Sequence, residues 1–281
     1  MNRARTKIEQ LPLVEVDGET ATEKPSPLSL RCRTEKSDNP LVASVEDRQG
    51  RVPGFSQKAL SELTVLLVGA GAMGGEIAEG LVRKGVGTLK ILDFDTVTLS
   101  NLNRQFFFPE DLHHPKAWAL ARNLEPHGAM GTKLIAWNVT FEQAQERDVD
   151  LNCNVAISAV DDDRTRVAIS KFAMTRSIPA LFGGASTAAD NAYVFVQETG
   201  GACFGCAFPD EVNNARSPCP GSPAIKDLFK GLACLALYAT DSLVMQRPRR
   251  WQLYILCPAD ATFTVSGSVD RRPDCALCGG E

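Results

Sequence analysis

Short apolar runs alternate with amphipathic stretches from residue 63 onward. "LTVLLV" is a continuous apolar run of strand length, and "GEIAEGLVRKG" behind it has the period of a helix stopped by Gly85. "GTLKILDFD" reads as a second buried strand, and "PKAWALARNLEP" as a helix with Pro115 in its first turn. "TKLIAWNV" alternates as a strand, "FEQAQERDV" is a short helix, "NVAISAV" is another buried strand, and "DDDRTRVAISKFAMTR" is the helix behind it. Strands alternating with helices predict an α/β fold with a doubly wound, mostly parallel sheet. Past residue 180 the alternation breaks. "PALFGGAS" and "NAYVFVQE" predict an antiparallel hairpin, and Phe208 to Pro223 shows no regular pattern. An apolar helix from Ile225 to Met245 follows, and the strands "WQLYILC" and "TFTVSGSV" complete an antiparallel C-terminal extension. Residues 1–45 are polar and proline-spotted with no periodicity. They are expected to be a flexible or loosely packed arm ahead of one domain over 46–281, with a crossover loop at 207–224.

Composition narrows the class. With 281 residues and 44% apolar content the chain can bury a large core. A net charge of -4 and no basic run argue against nucleic acid as a partner. The N-terminus lacks an apolar stretch followed by a small-residue cleavage site, so no signal peptide is expected. The most apolar run, "LFKGLACLALYATDSLVM", contains Lys230 and Asp241 and is expected to be a buried helix rather than a membrane span. Nine cysteines, an odd number, point to reduced thiols and metal ligation in the cytoplasm rather than a disulfide framework.

"VGAGAMG" places Gly69, Gly71 and Gly74 between a strand and a helix, the setting of a Rossmann-like phosphate loop. Glycines there permit a tight turn and let backbone N–H groups approach an anion, which the helix N-terminus also favours. Asp93 ends the next strand, at the distance expected of a ribose-hydroxyl acceptor. The glycine loop alone does not separate an ATP user from a nicotinamide oxidoreductase.

With "GAGAMG", "LDFDTVTLSNLNRQFFF" and "HPKA" in succession, the chain resembles the ubiquitin-activating-enzyme-like adenylyltransferases, the family of ThiF, MoeB and HesA proteins. The resemblance runs from about residue 46 to 281 and implies an enzyme that uses ATP to adenylate the C-terminal glycine of a ubiquitin-like or sulfur-carrier protein. Two anionic reactants must meet in that reaction, so cations and magnesium at the triphosphate are required. The resemblance gives Arg104 and Lys116 as the phosphate-contacting cations, with Asn101 and Gln105 orienting by hydrogen bonds. Phe106 to Phe108 are expected to pack the loop. Asp161, at the end of "NVAISAV", matches the magnesium-binding aspartate, leaving Asp162 or Asp163 to cap the following helix. The family usually has Asn where Asp162 stands. Arg48, in "EDRQGRVPGFSQKAL", matches an arginine that reaches into the partner subunit's ATP site, which implies a homodimer.

Two C-x-x-C knuckles, Cys203/Cys206 and Cys275/Cys278, have the spacing of a closed, structural zinc site, and the family carries the same pair. Cys219, in "ARSPCPGSP" beside Arg216, is the candidate acyl-accepting thiol; the competing reading is an incidental exposed thiol. Cys153, Cys234 and Cys257 are expected to be core thiols. Cys32, the three histidines and Lys133 receive no role. A conjugating enzyme or a sulfurtransferase is the further partner implied, and no membrane is. The alternatives are adenylation of a small peptide or tRNA base, an NAD-dependent oxidoreductase, and a noncatalytic dimeric scaffold.

Overall fold

The computed structural model describes residues 24–36, 44–186, 188–213, 223–258 and 262–279. Its strands are Leu28–Arg31 (β1), Thr64–Val68 (β2), Thr88–Leu92 (β3), Lys133–Trp137 (β4), Val155–Ser158 (β5), Ala180–Ala185 (β6), Ala192–Gln197 (β7), Leu253–Cys257 (β8) and Thr262–Ser266 (β9). Its α-helices are Asp47–Gly50 (α1), Gln57–Ser61 (α2), Ala72–Lys84 (α3), Lys116–Leu124 (α4), Phe141–Glu146 (α5), Asp163–Thr175 (α6), Phe204–Ala207 (α7), Pro209–Asn213 (α8) and Lys226–Met245 (α9).

The strands form one sheet in the order β1-β4-β3-β2-β5-β6-β7-β8-β9. The run from β4 to β6 is parallel, and β1, β7, β8 and β9 extend it antiparallel. Both faces of the parallel strands are covered, which is why they read as unbroken apolar runs. Val65 and Leu67 of β2 face a core shared with α3, α4 and α9, while Leu66 and Val68 face one shared with α5 and α6. Strand order reverses between β2 and β5, so the carboxyl ends of these two strands flank a crevice of the kind where α/β sheets hold ligands.

Helix α3 ends where the sequence indicates. Gly85 adopts φ 80°, the left-handed region, and its N–H bonds back to the last turn. Helix α9 is long and apolar enough to cross a bilayer by length and composition. It lies instead along α3 and the sheet, burying a face of small residues that includes Ala233, Ala236 and Ala239. Its buried Asp241 is paired with Lys84 and Arg247.

Three expectations are corrected. Leu28–Arg31, inside the segment expected to lack regular structure, pairs with β4, and the adjoining Cys32 is buried to 2% exposure. Four residues are too few for a period to register in sequence; the exposed edge of β4 supplies the partner. Phe208 to Pro223 is not wholly irregular, since α8 starts at Pro209 with Asp210 and Glu211 in its first turn, all favourable at a helix N-terminus. Cys234 is exposed, because it lies on the face of α9 opposite the alanines. Cys153 and Cys257 are only partly buried.

One lysine inside a buried strand has a structural explanation. The Lys90 ammonium, on β3, donates to the carbonyls of Asp150 (2.9 Å) and Asn152 (2.8 Å) and pairs with the Asp150 carboxylate at 2.9 Å. It ties the approach to β5 onto the sheet. Lys90→Met is expected to lower unfolding free energy by about 2 kcal/mol, the scale of hydrogen bonds to a buried charge, read from urea denaturation. The Lys90 hydrogen bond holds the Asp150 carboxyl below its usual range, so the wild-type advantage is present above the ordinary carboxylate pKa and is lost as pH falls through the depressed one.

Candidate functional site

The glycine turn leaves β2 at its carboxyl end. Gly69 has φ 100°, and a Cβ there would stand 2.6 Å from the Ala159 carbonyl oxygen, so only glycine lets the end of β5 close on the turn. A Cβ on Gly74 would overlap the Gly69 carbonyl, which binds the turn tightly to the first turn of α3. A Cβ on Gly71, by contrast, would meet nothing within 4 Å. The helix N-terminus therefore opens on free space at Gly71, the space a phosphate group needs.

Asp93, just past β3, accepts the Ala70 N–H at 2.7 Å and the Asp95 N–H at 2.8 Å. It thereby fixes the glycine turn to the end of β3. Burial holds its carboxyl above the usual carboxylate range, against the opposing pull of the Lys116 charge. Lys116 opens α4, is 8% exposed, and pairs with Asp95 at 2.8 Å. Asp95 was not singled out in sequence. The signal for it was the second aspartate of the D-x-D string, which supplies the resting partner of Lys116.

The loop after β3 is held by its own polar residues. The Asn101 side chain accepts the Thr98 N–H at 3.0 Å, and Asp111 accepts both the Phe108 N–H and the Asn123 amide. Phe107 is buried in the core, whereas Phe108 remains 45% exposed. Phe106 seats against Gly75 of α3, where a Cβ would come within 2.9 Å of it, so the loop lies along the start of that helix. Two of the three phenylalanines thus pack the loop as expected. The Arg104 guanidinium folds onto Ser100 O (2.5 Å) and Asn103 Oδ1 (3.1 Å) of its own loop. Gln105 is 9% exposed and its carbonyl oxygen is buried without a partner among the described residues. A buried orphan oxygen of this kind marks a place for a donor from outside the chain.

Asp161 follows β5 and is exposed, with no hydrogen-bond or ion-pair partner among the described residues. Asp162 is the helix cap, accepting the Thr165 N–H at 2.8 Å. The side chain after Asp161, which departs from the family pattern, therefore has a structural task. An exposed, unpartnered carboxylate beside a phosphate cradle suits a magnesium ion, which takes one or two carboxylates with phosphate and water oxygens.

The structure thus brings together Gly69, Gly71, Gly74, Asp93, Asn101, Arg104, Gln105, Lys116 and Asp161 at the carboxyl ends of β2, β3 and β5. It does not bring Arg48 there. Arg48 sits on α1, its side chain 89% exposed, and the neighbouring Gln49 bonds to Lys84 O at the far end of α3. Thirteen helical residues, about 20 Å, separate that end from the glycine turn. Cys219 lies outside the described residues. The chain flanking it is described: Phe208 stacks on Tyr193 with ring centroids 4.6 Å apart, and Lys226 pairs with the buried Glu76 of α3 at 2.6 Å.

The four knuckle cysteines meet at the opposite end of the sheet, beyond the end of β7. Cys203 lies 3.7 Å from Cys206 and 3.5 Å from Cys275, Cys206 lies 3.4 Å from Cys278, and all four sulfurs fall within 4.8 Å of one another. These gaps are too long for a disulfide and match the sulfur separation of about 3.8 Å that a tetrahedral metal–sulfur length of about 2.3 Å implies. Burial pushes the Cys203 thiol up. Burial also raises Cys275, but the Cys278 and Leu277 N–H groups and the neighbouring thiols outweigh it and bring that thiol down to about 7.

A switch-point crevice with a glycine turn, an anchored carboxylate, two cations and a free acid defines a nucleotide-binding α/β domain, here with a tetrathiol cluster attached. The chain belongs to the ThiF family, whose profile matches residues 44–244. It is 31% identical over 233 residues to the adenylyltransferase and sulfurtransferase MOCS3 of Caenorhabditis briggsae, covering 80% of this chain and 57% of that protein. It is 27% identical over 239 residues to the sulfur carrier protein adenylyltransferase of Thermus thermophilus, covering 80% of this chain and 85% of that one. The crystal structure of E. coli MccB with ATP shares the fold, with a TM-score of 0.71 at 16% identity over 86% of this chain and 75% of that one.

Proposed function

We propose that this protein uses ATP to adenylate the C-terminal glycine of a ubiquitin-like or sulfur-carrier protein. The observation that carries the reading is the free Asp161 carboxylate and the Lys116 ammonium standing on either side of the open glycine turn. The relatives named as adenylyltransferases support the same activity.

In the reaction a carboxylate oxygen of the acceptor glycine forms a bond to the α-phosphorus. The bond from that phosphorus to the β-bridging oxygen breaks, and pyrophosphate leaves with the electron pair. The turn at Gly69, Gly71 and Gly74 presents backbone N–H groups to the phosphates. Asp93 accepts from the ribose. Arg104 and Lys116 leave their resting partners, Ser100 O and Asp95, to neutralise the triphosphate. Asn101 and Gln105 orient the nucleotide by hydrogen bonds; the free Gln105 carbonyl oxygen accepts from a donor of the ligand and does not face a phosphate oxygen. Magnesium, held by Asp161, would supply further charge neutralisation. Arg48, remote from the site of its own chain, is proposed to serve the site of a second copy in a homodimer. Cys219 is the thiol proposed to take the activated acyl group, with a sulfurtransferase or conjugating enzyme downstream; the chain after it is tied to the first turns of α3 by the Lys226–Glu76 pair. The cysteine cluster is proposed to hold zinc. The eight described cysteines are all free, which fits the cytoplasm.

The test is ATP–pyrophosphate exchange by purified protein with a carrier ending in Gly-Gly. Acceptor-dependent exchange is expected, and Cys219→Ala should keep it while losing any thiol-linked adduct. Exchange with a short peptide or a tRNA but not with the carrier would replace the acceptor. Binding of NADH but not ATP would overturn the reading, because it would leave Arg104, Lys116 and Asp161 without a task.

A further inference from the structure

Three consecutive aspartates open α6, and they have three different fates. Asp161 is exposed and makes no hydrogen bond or ion pair among the described residues, though it lies within electrostatic reach of Arg166; Asp162 caps the helix, and Asp163 is buried to 4% exposure. All three sit where a helix N-terminus attracts carboxylates, so any of them can compete for the capping position. Something must hold Asp161 out of that competition.

Arg166 is the group in position to do so. It is 9% exposed, one turn into α6. Its Nη2 donates to the Val160 carbonyl at 2.6 Å, and its Nη1 donates to Asp163 at 2.6 Å. The two bonds of one planar fork therefore bracket Asp161 and Asp162, one on each side. Room for the fork comes from β6 and β7. A Cβ on Gly184 would stand 3.0 Å from Arg166 Nη2 and 2.8 Å from the Tyr193 ring. The third edge of the guanidinium is unserved: its Nε is buried without a partner among the described residues. A buried charge with an unmet donor is a poor way to stabilise a fold, and such groups persist where geometry matters more than stability.

We propose that Arg166 is a positioning residue that fixes the turn from Val160 to Asp163 and so holds the Asp161 carboxylate toward the glycine turn, ready for a magnesium ion. This rests on the adenylation reading. In this role Arg166 acts through Asp161 and not by direct contact with nucleotide or acceptor. Lysine is not its equivalent, because an ammonium lacks the rigid planar fork that holds the carbonyl and the carboxylate in one geometry.

The test is Mg2+ titration of the full-length protein with α,β-methylene ATP, read by calorimetry, alongside thermal denaturation. Arg166→Met is expected to raise the Mg2+ half-saturation about tenfold, the scale at which groups that orient a metal ligand act. Asp161→Asn is expected to raise it at least as much. The double variant should match Asp161→Asn alone, because Arg166 has nothing left to position. Arg166→Lys, which keeps a charge beside Asp163, and Gly184→Ala, which crowds Nη2, should shift half-saturation in the same direction. They carry the same cycle with Asp161→Asn if the apolar variant fails to fold. Additive effects in the double variant, or a fall in Tm with unchanged Mg2+ half-saturation, would overturn the role of Arg166 alone. Wild-type protein that binds no Mg2+–nucleotide would overturn the adenylation reading itself.

Discussion

Lys116→Ala is expected to reduce ATP–pyrophosphate exchange by about 10^3-fold, and Arg104→Ala by a similar factor, while both proteins stay folded. Each tenfold loss corresponds to about 1.4 kcal/mol of transition-state stabilisation, so each cation is asked to supply about 4 kcal/mol. The geometry makes this reasonable. Lys116 is 8% exposed, so its charge acts in a poorly solvated place and is little screened. Its resting partner Asp95 has a half-exposed side chain that water can solvate once the ammonium turns to the nucleotide. The two variants differ in one readout. Lys116 opposes the upward shift that burial imposes on Asp93. Without it the Asp93 carboxyl titrates higher still, so the acid limb of the exchange profile should move to higher pH in Lys116→Ala but stay in place in Arg104→Ala. The sign follows from the need for an ionised Asp93: raising its pKa removes the charged form at a pH where the wild type still has it. Exchange rates within tenfold of wild type in either variant would remove that residue from the reaction. A residual rate that is low with an unmoved acid limb in Lys116→Ala would leave the cation in place and remove its coupling to Asp93.

The parallel core was legible because burial on both faces writes itself as unbroken apolar runs, and a glycine turn between a strand and a helix has few other uses. The candidate site rests on types that chemistry constrains and sequence displays: the acids at strand ends, the cations spaced behind them, and paired cysteines. What escaped the sequence depends on long-range partners. Leu28–Arg31 becomes a strand only because β4 has a free edge. Cys234 turned out exposed because α9 presents its alanine face, not its whole girth, to the sheet. Arg166 and Lys90 look in sequence like surface charges on a helix and an interruption in a strand. Only the fold shows that each ends on backbone carbonyls of a neighbouring segment. The distance of Arg48 from its own crevice was equally invisible in sequence, where the second copy of the chain came from the family resemblance alone.

Removing metal from the cysteine cluster is expected to release one zinc per chain and lower Tm by about 10 °C, and Cys203→Ser should do the same. The cluster joins two segments 72 residues apart in the chain, the turn after β7 and the C-terminal knuckle, which otherwise meet through a small apolar group that includes Ala202, Val269 and Leu277. A closed tetrathiolate contributes its binding free energy to folding directly, and losing part of it in a domain of this size at about 4 kcal/mol corresponds to a shift of that order. The effect should be local in its first stage. Residues 271–279 would release before the parallel sheet does, because the glycine turn and β2–β5 lie at the other end of the molecule and have their own core. Nucleotide binding should therefore survive chelation at low temperature while protease cuts near Arg271 and Arg272 appear. Metal analysis showing no zinc in protein prepared without chelator, or a Tm unchanged by Cys203→Ser, would show instead that packing of Ala202, Cys203 and Leu277 alone holds the chain end.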